Sequence, residues 1–184
     1  MAPAASAIRF TATLHRPADA PDNATWTFLV LPKQASSRLP TRGVTTIEGT
    51  LNDRPFRANV EPDGEKSHWL KVPRALRAAA GAAPGDTVTL EIRPAAEQLE
   101  PPVPADLRKA LTASPAAARL WAAITPAARR DWIQWLDSAK QAETRARRVV
   151  AACDMLSKGK RRVCCFDRSG VYSRGSMGAP RPLD

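Results

Sequence analysis

The chain has 184 residues, of which 43% are hydrophobic and 25% are charged, and its formal net charge is +10. This length can bury a hydrophobic core and accommodates one domain or two small ones. Residues 1–105 carry 12 basic and 11 acidic side chains, whereas residues 106–184 carry 16 and 7. Since nearly all of the net charge lies in the second half, we expect two modules with different surfaces.

Several classes of protein are disfavoured at the outset. The N-terminal sequence MAPAASAIRF has no charged segment followed by an apolar run, so it does not predict a secretory signal. No stretch of the sequence has the length and apolarity of a transmembrane helix. The three cysteines, Cys153, Cys164 and Cys165, form neither a disulfide framework nor a CxxC metal motif. These features favour a reduced, cytoplasmic protein.

The first half of the sequence has the pattern of short strands. Apolar and polar residues alternate from Ile8 to Leu14, which is typical of a half-buried strand. Further strands are predicted over Trp26–Leu31, Val44–Leu51, Phe56–Glu61, His68–Val72 and Val88–Ile92, with a turn at Asn52-Asp53-Arg54-Pro55 and a short helix over Arg74–Ala80. Because six short strands in a flat sheet would leave edges exposed, we predict a small, mainly antiparallel β-barrel over residues 1–93.

Apolar side chains of these strands are the candidates for the barrel core. They are Phe10, Trp26, Phe28, Ile47, Phe56, Val60, Trp69, Leu70 and Leu90. Small barrels generally fill their interior with side chains, so core packing is the first interpretation of the tryptophans. A role for Trp26 or Trp69 in lining a ligand site is the alternative.

The second half divides into a linker, a helical domain and a tail. Residues 94–105 hold four prolines, which predicts a stiff linker with polyproline character. Residues 106–162 predict a domain of three to four helices, so the whole chain is expected to be an α+β protein. Residues 163–184 are polar and rich in Gly, Ser, Arg and Pro, and we expect them to be flexible.

Capping residues and apolar spacing place the helices. Ser114-Pro115 and Thr125-Pro126 each combine an N-cap residue with proline at the first helical position. An apolar stripe at spacings of three and four follows, made of Trp132, Trp135, Leu136, Ala139, Ala142, Ala146, Val149, Val150, Cys153 and Leu156. Ser138 and Gln141 form a capping box, which predicts a break near residues 138–141. Gly159 predicts the end of the last helix.

The helical domain carries more cations than nearby acidic residues can pair. Acid-first spacing of four residues predicts the ion pairs Glu143–Arg147 and Asp154–Lys158. Seven cations lack such a partner: Arg129, Arg130, Arg145, Arg148, Lys160, Arg161 and Arg162. Two interpretations stay open, namely a solvated helical face and a surface for an anionic partner.

The sequence lacks the motifs of common catalytic and metal sites. There is no Gly-rich phosphate loop, no GxSxG and no HExxH. His15 and His68 do not have the spacing of a metal pair, and Cys153 lies on the apolar stripe. Redox sensing by Cys164 and Cys165, beside basic residues, is a minor alternative. We therefore expect a protein that is not an enzyme and that uses no metal or cofactor.

One segment resembles a known family. The sequence WIQWLDSAKQAETRARRVVAACDMLSKGKR is similar to the C-terminal segment of the YdeI/OmpD-associated family, also called bacteriocin-protection proteins. The matching residues are Trp135, Leu136, Ala139, Lys140, Glu143, Thr144, Arg145, Arg147, Arg148, Val149, Leu156, Gly159 and Lys160. The motifs at Trp26–Pro32 and His68–Ile92 resemble a small β-barrel domain of unknown function that is often fused ahead of it.

The resemblance implies a soluble bacterial protein without enzymatic activity, linked to protection against bacteriocins or other antimicrobial stress. It also implies that the Glu143–Arg148 segment acts as a unit, either in ligand contact or as a helix cap with internal ion pairs. The candidate ligand-binding residues are Arg145, Arg148, Thr144, Glu143, Lys140, Trp135 and Trp69. The candidate anionic-surface residues are Arg129, Arg130, Lys160, Arg161 and Arg162.

Two functions follow from these residues. The first is a binding or protection protein that holds an anionic or amphipathic ligand or protein in a crevice between barrel and helices, and on the basic helices. The alternative is a regulatory nucleic-acid-binding protein whose basic helices contact phosphates, so that binding weakens steeply with salt.

Overall fold

The computed structural model describes residues 6–18, 25–163 and 178–183. The chain divides into two compact units. The strand unit comprises residues 1–99 together with residues 175–184, and the helical unit comprises residues 100–174. The strand unit is therefore built from two separate parts of the sequence.

The strand unit contains a six-stranded antiparallel sheet. Its strands are β1 (Ile8–Thr13), β2 (Thr27–Val30), β3 (Thr45–Leu51), β4 (Arg54–Pro62), β5 (His68–Val72) and β6 (Thr87–Pro94). The order across the sheet is β1-β6-β3-β4-β5-β2. The sheet curls into a half-barrel, and an isolated bridge between His15 and Phe28 joins its two outer strands. The predicted mainly antiparallel barrel of about six strands is confirmed.

Period-two alternation explains which side chains form the core of the strand unit. In β6, Val88, Leu90 and Ile92 are buried while the residues between them face outward. In β5, His68 and Leu70 are buried on either side of Trp69, which is only half-buried. The other buried apolar residues are Ile8, Leu14, Phe28, Leu29, Leu31, Ala35, Leu39, Ile47, Leu51, Val60 and Val72. Trp69 therefore lies on the outer face of the sheet.

One connection between neighbouring strands is a tight turn. The hairpin joining β3 and β4 turns at Asn52 and Asp53, which have φ values of +44° and +65°. Asparagine and aspartate are the non-glycine residues that tolerate this left-handed conformation best. Two short helices complete the unit, α1 (Lys33–Ser36) and α2 (Arg74–Ala79). The sequence predicted α2, whereas α1 was not expected.

The described part of the helical unit contains four helices, within the predicted number of three to four. They are α3 (Ala105–Ala113), α4 (Pro115–Ala123), α5 (Pro126–Asp137) and α6 (Ala142–Ser157). Their shared core comprises Leu107, Leu111, Ala117, Trp121, Ile124, Ala128, Trp132, Leu136, Val149, Ala152 and Leu156. Within the part of the chain that the structure describes, no helix is long and apolar enough to cross a membrane.

The predicted break between α5 and α6 is confirmed, but its cause differs from the one expected. Gln141 occupies the N-cap position of α6 and makes no side-chain cap, and the hydroxyl of Ser138 instead donates to the carbonyl of Trp135. Gly159, with φ of +87°, ends α6, and the Lys160 N–H donates to the Met155 carbonyl at 3.0 Å. This arrangement is a Schellman motif, in which glycine tolerates the left-handed conformation.

Residues 178–183, hereafter the return segment, lie against the strand unit. Pro182 forms an isolated antiparallel bridge with Pro17. The expected flexible tail over residues 163–184 thus has a described end that pairs with the strand unit, and residues 164–177, including Cys164 and Cys165, lie outside the described residues.

Candidate functional site

The arginines singled out in the sequence lie on the inner side of α6. Buried Val149, Ala152 and Leu156 follow one another at spacings of three and four, and they place half-buried Arg145 and Arg148 on the same side. The predicted stripe was too wide, because Ala142, Ala146 and Val150 are exposed, Val150 to 70%. Arg145 and Arg148 thus lie next to the core of the helical unit.

Arg145 connects three helices through two carboxylates. Its Nε donates to Asp106 Oδ2 at 2.6 Å and its Nη2 to Asp106 Oδ1 at 3.2 Å. Its Nη1 donates to Asp137 Oδ1 at 2.7 Å. The planar guanidinium suits this forked geometry, and Asp106 lies in α3 while Asp137 ends α5. We call these three residues the arginine clamp.

The clamp changes the ionisation of its members. The hydrogen bond from Arg145 lowers the pKa of the Asp106 carboxyl below its usual value of 3.8, and the Leu107 N–H adds to this effect. Hydrogen bonds from Asp106 and then Asp137 raise the pKa of the Arg145 guanidinium. Both shifts favour the charged forms, so the pair is ionised at neutral pH. The Arg145 guanidinium therefore uses its N–H donors on Asp106 and Asp137 of the same protein.

Arg148 caps the C-terminal end of α5. Its Nη1 donates to the Trp135 carbonyl and, at 2.7 Å, to the Ser138 hydroxyl. The guanidinium carbon lies 5.1 Å from the centroid of the Trp135 ring, within the range of a cation–π contact. Trp135 in turn meets Trp132 edge to face at a centroid distance of 6.0 Å. Arg148 and Trp135, two members of the predicted ligand set, are therefore in contact with each other.

Arg129 performs a similar role at the end of α4. Its Nε donates to the Trp121 carbonyl at 2.9 Å, and its Nη2 donates to the carbonyls of Ala122 and Ile124. Its Nη1 pairs with Glu100 at 2.7 Å. A helix C-terminus leaves carbonyl groups without intrahelical donors, and a cation there also interacts favourably with the helix dipole. Arg129 thus acts as a cap from a neighbouring helix.

The other members of the predicted ligand set are not gathered around the clamp. Thr144 is half-buried in the first turn of α6, whereas Glu143 and Lys140 are exposed and have no ion pair among the described residues. The predicted ion pair of Glu143 with Arg147 is therefore absent there, whereas Asp154 and Lys158 pair at 2.8 Å as expected. Trp69 belongs to the strand unit, where its ring meets Phe28 edge to face at 6.3 Å.

The candidate anionic-surface residues do not share one environment. Arg129 bonds to the end of α4 and to Glu100, and the Nη1 of Arg162 lies 3.8 Å from Asp131 Oδ2. Arg161 is exposed, Lys160 is partly exposed, and neither has an acidic partner among the described residues. Burial raises the pKa of the Asp131 carboxyl, an effect that the charges of Arg162 and Arg130 oppose.

Acidic residues of the helical unit are almost all engaged by cations. Of the six acidic residues described there, only Glu143 lacks an ion pair. Seven basic side chains have neither an acidic nor a hydrogen-bonded partner among the described residues: those of Arg108, Lys109, Arg119, Lys140, Arg147, Lys160 and Arg161. We call them the unpaired cations. Of the seven cations that sequence spacing left without a partner, only Lys160 and Arg161 belong to this set, and the partner predicted for Arg147 is not observed.

The His68 imidazole and the Cys153 thiol, two groups of types that can act in catalysis, are buried and partly buried, respectively. His68 is fully buried, and its Nε2 lies 3.0 Å from the Gly43 carbonyl oxygen, which only accepts. Nδ1 therefore accepts from the Ser36 hydroxyl at 2.7 Å, and Ser36 is itself only 1% exposed. Burial raises the pKa of the Cys153 thiol, which disfavours the reactive thiolate. The described residues contain no cluster of metal-ligating side chains.

An open depression with a volume of about 520 Å³ lies around Gly49 in the strand unit. Glu48, Arg57 and Arg93 line it on three adjacent strands. Glu48 pairs with Arg93 at 3.0 Å, and Arg57 donates to the Glu97 carbonyl. Glu48 and Arg93 thus form an ordinary cross-strand ion pair in this depression.

Fold and site together define a two-domain α+β protein, with an antiparallel half-barrel ahead of a four-helix unit braced by arginines. The family model described as bacteriocin-protection, YdeI or OmpD-associated matches residues 100–159. The model of a domain of unknown function, DUF1905, matches residues 10–92. The two models thus match the same two parts of the chain that resembled these families in sequence, and that resemblance is confirmed. No curated protein matches the chain.

Proposed function

We propose that this is a non-enzymatic, cytoplasmic binding protein of the bacteriocin-protection family that holds an anionic partner on the unpaired cations of its helical unit. The observation that carries the proposal is the imbalance of exposed charge. Seven cations of that unit lack partners among the described residues, against a single acid, Glu143. Exposed charge of one sign attracts a partner of the other sign and accelerates its association.

The surroundings of the motif arginines support an outward location for the binding surface. Arg145, Arg148 and Arg129 have their donors committed to carboxylates, carbonyls and a hydroxyl of the helical unit. Recruiting Arg148 or Arg129 to a ligand would leave acceptors of buried or half-buried residues without a donor, which costs free energy, and recruiting Arg145 would break its two ion pairs. The unpaired cations carry no such penalty, since solvent already surrounds most of them.

A charge-reversal experiment tests the proposal. The triple variant Arg108→Glu, Lys109→Glu, Arg119→Glu removes three unpaired cations from α3 and α4. The matched control, Lys33→Glu, Arg54→Glu, Arg74→Glu, makes the same change in net charge on exposed residues of the strand unit. Heparin serves as a polyanionic probe and short duplex DNA as the nucleic-acid probe, each measured over a series of salt concentrations.

We expect the helical-unit variant to bind heparin about tenfold or more weakly than the control variant and to show a shallower dependence on salt. Equal loss in the two triple variants would show that only net charge matters and would overturn the assignment to the helical unit. Binding of duplex DNA much tighter than binding of heparin, lost in the same variant, would instead assign the surface to nucleic acid.

A further inference from the structure

Four charged residues of alternating sign follow one another along α6 and its C-cap. Glu143, Arg147, Asp154 and Lys158 are all exposed. Their spacings of four, seven and four residues are close to one, two and one turns of a helix, so they lie on nearly the same side. This side faces away from the core of the helical unit. We call these four residues the outer charges.

The middle of this side is apolar. Val150 lies between Arg147 and Asp154 and is 70% exposed, which makes it the most exposed large hydrophobic side chain among the described residues. The partly buried Ala151 follows it. Covering such a side chain removes apolar surface from water and is favourable. A single exposed valine is common on protein surfaces, so the charges around it carry the argument for a partner.

The outer charges are complementary to a second copy of themselves. Their midpoint lies between Val150 and Ala151, because Arg147 and Asp154 are equally far from it and Glu143 and Lys158 are also equally far from it. An antiparallel second α6, related by a two-fold axis through this midpoint, places Arg147 opposite Asp154 of the second copy and Glu143 opposite its Lys158. The symmetry repeats each pair, giving four ion pairs around two valines. A parallel second copy in register would instead place every charge opposite its own like.

The four pairs can form without breaking a bond within the chain. Glu143 and Arg147 have the spacing for a pair along the helix but have no ion pair among the described residues. Asp154 and Lys158 pair at 2.8 Å, yet their side chains remain 57% and 71% exposed. A carboxylate accepts several hydrogen bonds and an ammonium group donates three, so both can take a second partner.

We propose that this side of α6 is a self-association surface, on which a second copy of the chain packs antiparallel about a two-fold axis. The charges set the register and the orientation, and the paired Val150 side chains form the apolar centre. One helix face buries a small area, so the dimer is weak and its dissociation constant rises with salt. The surface does not rest on the proposed anionic partner, although Arg147 belongs to both sets of residues.

Two charge-exchange variants test the arrangement at constant net charge. The first is Glu143→Arg with Arg147→Glu, and the second is Asp154→Lys with Lys158→Asp. Each variant alone places like charges opposite each other in the antiparallel dimer, and we expect its dissociation constant to rise by about tenfold or more. When the two variants are mixed, every like pair becomes an opposite pair. We therefore expect the mixture to form a one-to-one dimer about as tight as that of the unaltered chain.

Substitution of the apolar centre provides a second test. Val150→Ser should weaken the dimer, whereas the matched control Val30→Ser changes an exposed valine of the strand unit and should leave it unaltered. Sedimentation equilibrium at protein concentrations up to about 1 mM, at low and high salt, measures all variants, since small interfaces give weak complexes. Far-ultraviolet circular dichroism establishes that each variant is folded.

Three outcomes would overturn the proposal. The first is an unaltered chain that remains monomeric over the whole concentration range at low salt. The second is a pair of charge-exchange variants that each dimerise as tightly as the unaltered chain, which would place the contact on another surface. The third is a mixture of these variants that stays monomeric, which would exclude the antiparallel pairing.

Discussion

Arg145 and Arg147 stand two residues apart on α6 and have opposite surroundings. Arg145 is 29% exposed and pairs with two carboxylates, whereas Arg147 is exposed and has no ion pair among the described residues. Both match the family motif, so the motif combines an internal brace with a solvent-facing cation. At the scale of single residues, the same side chain therefore serves packing at one position and remains available to a partner at the other.

Arg145→Ala should lower the free energy of unfolding by about 1–2 kcal/mol, because it breaks two partly exposed ion pairs that link three helices. Arg147→Ala is the matched control and should change stability by less than about 0.5 kcal/mol. Urea unfolding followed by tryptophan fluorescence measures both. A stable Arg145→Ala variant with impaired partner binding would contradict the role of the clamp as an internal brace.

The two aspartates with shifted pKa values should respond oppositely to substitution. The pKa of Asp106 is lowered below 3.8, so its stabilising contribution is present above that value and is lost as pH falls through the folded-state pKa. The pKa of Asp131 is raised, so the folded state disfavours its carboxylate, and the cost grows as pH rises through the folded-state pKa.

Asp106→Asn should therefore lower the melting temperature at neutral pH and flatten its decline in acid, whereas Asp131→Asn should raise the melting temperature at neutral pH. Melting temperatures measured from acidic to neutral pH provide the check. Parallel curves for the two variants would show that neither shift contributes to stability.

At the scale of elements, strands β3 and β6 approach each other closely at Gly49. A Cβ atom placed on Gly49 would lie 2.0 Å from the carbonyl oxygen of Glu91 in the neighbouring strand β6. Backbone cannot retreat from such a contact without disturbing the pairing of Gly49 with Ile92. Glycine is thus required because the two backbones meet there.

Gly49→Ala should destabilise the protein by at least about 3 kcal/mol, since the added methyl group overlaps a backbone atom. Gly81→Ala provides a control, because Gly81 has φ of +64° but nothing lies within 4 Å of its added Cβ. Only the cost of the left-handed conformation applies there, about 1 kcal/mol. Chemical denaturation of both variants tests the difference, and similar losses would refute the close approach as the cause.

Helix starts illustrate what a sequence pattern can and cannot specify. Ser114-Pro115 and Thr125-Pro126 carry the same signal, and both begin a helix as predicted. Only the Thr125 hydroxyl accepts from a backbone N–H, that of Ala128 at 3.2 Å, while the Ser114 side chain makes no cap. The pattern therefore places the boundary, and the local backbone angles decide whether the cap forms.

At the scale of the whole molecule, periodicity and turn chemistry were sufficient to predict the six strands, the four helices and the break after α5. They could not identify the partners of the arginines, because Asp106 is 39 residues from Arg145 and Glu100 is 29 from Arg129. Pairing by local spacing accounts only for contacts within one helix. Contacts between helices follow from packing, which no spacing rule contains.

The position of the return segment at the end of the sequence sets when the strand unit can complete its contacts. Residues 178–183 are synthesised after every helix of the helical unit, yet they belong to the strand unit. A ribosome-bound chain exposes residues 16–18 without the return segment until the helices have been completed. The backbone hydrogen bonds of Ala18 and Leu183 can therefore form only after the helical unit has been synthesised.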